Sequence, residues 1–134
     1  MSDKLRNLLR LLGLALARLD HALAQPANEF VRDSAIQRFE FTFELFWKSL
    51  KAYAEESGVE AFSPRDSLRA AFQSGVIQES PEWFCMLEDR NLTSHTYNEA
   101  TADTIYSHLP KSMVSKLMQT ILASSARPAR LGWF

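Results

Sequence analysis

Eight consecutive residues, Arg90-Asn91-Leu92-Thr93-Ser94-His95-Thr96-Tyr97, gather a permanent cation, an amide, hydroxyls, an imidazole and a phenol. A guanidinium can grip a phosphate through two parallel hydrogen bonds and keeps its charge at any physiological pH. An imidazole moves protons near neutrality. Together, Arg90 and His95 could cleave a phosphodiester without a metal ion. The same residue types also have a structural reading. Arg90 could pair with Glu88, Asp89 or Glu44, and His95 could be a satisfied helix-terminal residue, since structural ion pairs outnumber active sites.

The elements around this stretch are helical. Leu5, Leu9, Leu12, Leu16, Leu19 and Leu23 alternate steps of four and three, which predicts a first helix with a continuous apolar seam. Lys4 and Arg6 followed by Leu11-Leu12-Gly13-Leu14 mimic a signal peptide, but Arg10, Arg18 and Asp20 interrupt and close the apolar run, so a bundle helix is the better account. Asn28 is an N-cap for a second helix carrying Ile36, Phe39, Phe43, Phe46, Leu50 and Tyr53, with Gly58 as terminator. Phe41, Leu45 and Trp47 make that helix apolar on a second side, as expected of a central or interface helix. Ser63-Pro64 and Ser80-Pro81 each pair a cap with a first-turn proline and predict two short helices. Thr96 and Glu99 form a capping box that starts a final helix near Tyr97, carrying Ile105, Leu109, Met113, Leu117 and Ile121 inward, with a kink or break at Pro110. The expectation is an all-α, up-and-down four-helix-type bundle with an additional short helix, forming one domain over residues 1–124, and a flexible tail over 125–134.

Composition narrows the function classes. At 134 residues the chain can bury a core without staples, and a net charge of −1 argues against broad electrostatic binding of nucleic acid, so any RNA contact must be local. The lone Cys85 cannot close an internal disulfide and reads as a small buried hydrophobe. No run is long enough to span a membrane, and a cytoplasmic protein is expected.

Other residues carry weaker readings. Glu40, Glu44 and Lys48 stand at successive fours on the second helix; Glu40 beside Glu44 is unfavourable unless a cation such as Arg38 or Arg90 intervenes. They form either a solvated charged face or part of a site. No His or Cys stands at ligand spacing with these carboxylates, and no metal site is expected. Trp47, Trp83 and the phenylalanines read as core or dimer interface, and His21 and His108 as surface residues.

The spacing Arg-x-x-x-x-His-x-Tyr over Arg90, His95 and Tyr97 resembles the signature of the HEPN superfamily, in particular the small HEPN proteins paired with minimal nucleotidyltransferases. The similarity extends to Arg32-Asp33-Ser34-Ala35-Ile36-Gln37-Arg38-Phe39-Glu40-Phe41-Thr42-Phe43-Glu44, Ser63-Pro64-Arg65-Asp66 and Met86-Leu87-Glu88-Asp89, spanning about residues 20 to 122. The resemblance implies a homodimer that brings two motifs together across a cleft. It implies a metal-independent endoribonuclease toxin without cofactor, with Arg90 and His95 catalytic and Asn91, Glu44 and Lys48 supporting. Cleavage would leave a 2′,3′-cyclic phosphate. The partner nucleotidyltransferase, as antitoxin, would add AMP to Tyr97. The family is also described as a substrate-binding subunit of that nucleotidyltransferase, which leaves a non-catalytic binding role as the alternative. A helical dimer without activity is a third reading.

Overall fold

The computed structural model describes residues 1–109, which fold into five α-helices and one 3-10 turn. Helix α1 (Asp3–Leu23) opens on Ser2, whose hydroxyl accepts the Leu5 N–H at 3.1 Å. Its leucine seam is buried at Leu5, Leu9, Leu12, Leu16 and Leu19, as the spacing predicts. Helix α2 (Glu29–Glu56) opens on Asn28, whose side-chain oxygen accepts from both Phe30 and Val31 at 2.9 Å. The short connection between them makes α1 and α2 antiparallel neighbours, and they share the largest interface.

Phe39, Phe43 and Phe46 form a row of tilted rings along the buried stripe of α2. Trp83 extends this row by stacking on Phe46 at 4.8 Å, while its indole N–H reaches the Gln78 carbonyl. The polar residues on the inner side of α2 are satisfied locally: Thr42 donates to the Arg38 carbonyl and Ser49 to that of Leu45.

Helix α3 (Pro64–Ser74) is capped by Ser63 and ends at Gly75, whose φ of 78° is a left-handed conformation that glycine adopts without strain. Helix α4 (Pro81–Leu92) is capped by Ser80, then tightens into a 3-10 turn over Thr93–His95. Helix α5 (Glu99–His108) returns along α2 and buries Ala102 and Ile105, with Leu109 just beyond its end. Among the described residues there is no strand, and no helix is long and apolar enough to cross a membrane. The all-α expectation holds. The expectations for Pro110, Met113, Leu117, Ile121 and the tail lie outside the described residues.

Two local expectations are corrected. The cap of α5 is Asn98, whose side-chain oxygen accepts the Thr101 N–H, and Thr96 instead donates to the Thr93 carbonyl. Because α4 winds on through a 3-10 turn to His95, the chain needs residues 96–98 to reverse, and the helix restarts two positions later than the capping box suggests. Cys85 is exposed, because Trp83, Met86 and Leu87 occupy the inner face of α4. His108 lies at the surface as expected, and it also bonds to the buried Asp89.

Replacing Phe46 by Ala removes the ring on which Trp83 stacks and opens a cavity at the centre of the bundle. The expected cost is about 3–5 kcal/mol of unfolding free energy, measured by urea titration followed through far-UV circular dichroism.

Candidate functional site

The polar residues singled out in the sequence fall at one edge of the bundle, where the last turn of α4 crosses α2. Arg90 donates from Nη2 to Glu44 Oε1, and from Nη1 to Asn91 Oδ1 at 3.2 Å. The other oxygen of Glu44 accepts the Trp47 indole N–H at 3.0 Å and lies 3.8 Å from Lys48 Nζ. Glu44 is thus held on both sides, and together with Asn91 it tethers the Arg90 fork. A guanidinium has five N–H groups. Two are engaged among the described residues, which leaves Nε–H and one N–H on each terminal nitrogen without a described partner. The crowding of Glu40 and Glu44 is relieved as the charge pattern requires: Glu44 takes the cations and Glu40 is exposed to water.

Beyond Arg90 the backbone tightens. The Thr93 hydroxyl donates to the Arg90 carbonyl at 2.7 Å, and the Asn98 N–H to the His95 carbonyl at 3.1 Å. A 3-10 turn has about three residues rather than 3.6, so regular α-helical spacing does not set the direction of His95 at its end. Its ring faces Tyr97 instead, edge to face at 5.9 Å, with Nδ1 3.4 Å from the phenolic oxygen. Both side chains are open to solvent, Tyr97 at 82%. The site therefore has two parts, an anchored guanidinium and an exposed imidazole–phenol pair, joined by one turn of backbone.

Two polar contacts missed in the sequence hold that turn from its α5 side. Arg32, buried on α2, donates to Asp33 at 2.9 Å, to Glu99 at 2.7 Å and to Asp103 at 2.9 Å. Glu99 above all, then Asp33 and Asp103, push the guanidinium pKa higher still. The signal was present: Glu99 and Asp103 stand one helical turn apart on α5 with no cation at local spacing between them. The second contact joins α4 to α5, where His108 Nδ1 lies 3.1 Å from each oxygen of Asp89. Burial raises the Asp89 carboxyl above its ordinary pKa, against the opposing pull of His108. Among the described residues no group of three or more His, Cys, Asp or Glu is placed to hold a metal ion.

Comparison with known proteins agrees with this architecture. The family described as "nucleotidyltransferase substrate binding protein like" matches residues 7–125, further toward the N-terminus than the motifs alone suggested. A Haemophilus influenzae protein named "probable ribonuclease HepT" is 30% identical, the match covering 81% of this chain and 85% of that protein. A crystal structure from Thermus thermophilus is 39% identical with a TM-score of 0.75, covering 90% of this chain and 98% of its own. A Haemophilus influenzae structure, described as revealing the fold of a substrate binding domain of a nucleotidyltransferase, is 26% identical with a TM-score of 0.74, covering 86% and 98%.

The raised pKa of Asp89 has a defined sign in stability. The folded protein holds this proton more tightly than the unfolded chain, so the contribution is greatest below the unfolded pKa and declines as pH rises through the folded value. Asp89→Asn, which cannot ionise, should therefore gain thermal stability relative to the parent between about pH 3 and about pH 7. Melting curves at both ends check this, and a difference that does not change with pH counts against burial as the dominant influence.

Proposed function

The chain belongs to the nucleotidyltransferase substrate binding protein like family, and from that premise we propose that it is a metal-independent endoribonuclease, the toxin of a two-component module working in the cytoplasm. The observation that carries this reading is the placement of an exposed His95 one turn after an Arg90 that Glu44 anchors without saturating. The name of the Haemophilus influenzae relative, a probable ribonuclease, supports it.

In this mechanism a phosphodiester lies against the unused N–H groups of Arg90, which stabilise the charge that builds on the phosphorane oxygens. His95 takes the proton of the 2′-hydroxyl as general base, or protonates the leaving 5′-oxygen as general acid. A single exposed imidazole cannot hold both roles at once. A homodimer that faces two motifs across a cleft supplies a second imidazole and divides the roles. Cleavage leaves a 2′,3′-cyclic phosphate, and DNA, lacking the 2′-hydroxyl, is not cut. Asn91, Glu44 and Lys48 support the site by holding the Arg90 fork and its carboxylate partner. Tyr97 is the modification point: AMP added there by the partner nucleotidyltransferase places bulk and negative charge beside His95, where the RNA phosphate would sit.

A second reading is favoured by the family's description and by that of the Haemophilus influenzae structure. In it the same surface presents substrate or nucleotide to a nucleotidyltransferase and cleaves nothing.

End-labelled RNA incubated with the purified protein in chelator, with a DNA strand of the same sequence as control, separates the two. Arg90→Ala and His95→Ala should each lower RNA cleavage by about a hundredfold or more, with melting temperatures close to the parent. Cleavage that survives His95→Ala removes the nuclease mechanism, and an inert parent that binds the nucleotidyltransferase tightly establishes the second reading in its place.

A further inference from the structure

The His95 ring has one polar side-chain partner among the described residues, the phenol of Tyr97, which is itself exposed. No other described side chain grips the imidazole. Its position relative to Arg90 is therefore set by the backbone of residues 90–98, and that backbone is only as fixed as its two ends. The α4 end is held at Arg90 by Glu44. The α5 end is held by Arg32, but its carboxylate partners Glu99 and Asp103 are 72% and 68% exposed, where water and salt weaken the attraction.

The Asp89–His108 contact is of a different kind. The Asp89 side chain is 9% accessible, and both of its oxygens lie 3.1 Å from one ring nitrogen. Nδ1 donates whether the ring is the Nδ1-protonated neutral form or the imidazolium. The pair ties the last turn of α5 to the last turn of α4, at the residue next to Arg90, and closes residues 89–108 into a loop that contains the entire motif. Of the charged groups around it, Glu88 acts unfavourably on Asp89, and Arg90 is turned away toward Glu44.

We propose that His108 is a positioning residue for RNA cleavage, acting through Asp89 to fix where the 90–98 segment presents His95 relative to Arg90. This rests on the nuclease reading above. Displacing reacting groups by about 1 Å costs on the order of a hundredfold in rate, which is the scale on which a loose loop would be felt.

The test compares His108→Ala with His108→Asn in the full-length protein. The amide nitrogen of Asn occupies nearly the place of Nδ1 and can still donate to Asp89, whereas Ala cannot. His108→Ala should lower kcat roughly tenfold to a hundredfold with KM within about twofold of the parent. His108→Asn should restore most of the loss. Amide hydrogen exchange across residues 93–98 should quicken in the Ala variant and not in the Asn variant. Parental kcat in His108→Ala overturns the proposal, as does equal loss in both variants, which would mean that ring packing rather than the hydrogen bond matters. If the parent cleaves no RNA the nuclease reading falls, and exchange then decides the latch alone: faster exchange confined to the Ala variant supports it, and unchanged exchange overturns it.

Discussion

A guanidinium taken into a helical bundle is tolerated only where its charge is met, and Arg32 is met three times. Two of its partners, Glu99 and Asp103, are successive-turn residues on α5, so the guanidinium reads one face of that helix and no other. Sliding α5 by a residue would turn both carboxylates away and leave the buried charge uncompensated. The apolar contacts of Ala102 and Ile105 draw α5 onto α2, but small and branched aliphatic side chains specify register weakly. The ion cluster adds register, and the Asp89–His108 contact holds the far end of the same helix. Since α5 begins four residues after His95, fixing its register also fixes where the 3-10 turn can lie.

The edge of the bundle uses charge differently. Arg90 and Lys48 converge on Glu44, and Trp47 closes the remaining side of the carboxylate with a neutral hydrogen bond. A lone arginine at a helix end would sample many rotamers, each with an entropic cost to recruit. Tethering it through two N–H groups removes much of that cost while leaving donors unused. The cluster carries more cation than anion at this point of a chain whose overall charge is near zero. On the proposed nuclease reading, such a local excess would meet a phosphate at one place rather than along a broad basic surface.

What the sequence disclosed and what it hid divide along a physical line. Features decided within one or two helical turns were legible: the leucine seam of α1, the Asn28 cap, and the serine–proline starts of α3 and α4. The spacing of Glu40 and Glu44 left Arg38 and Arg90 as candidate cations, and Arg90 pairs with Glu44 while Glu40 stays exposed. Glu99 and Asp103 were legible as an acidic pair lacking a local cation, but their partner Arg32, 67 and 71 residues away, was not, nor was the pairing of Asp89 with His108 across 19 residues. Only packing brings them together. Asn98 took the cap from Thr96 for a related reason: the extra turn after α4 changed how much chain remained to reverse direction.

Asp89 and Arg90 are adjacent on α4 and serve opposite sides of it, one carboxylate turned inward to α5 and one guanidinium outward to α2. Each α-helical step rotates the side chain by about 100°, so this division of labour depends on how many residues separate Ser80 from the end of the helix. Deleting or inserting one residue there would swing the acid toward solvent and the base into the apolar interior, spoiling scaffold and site in a single event. The length of α4 is therefore a tighter constraint than the identity of exposed residues on it such as Cys85 and Glu88.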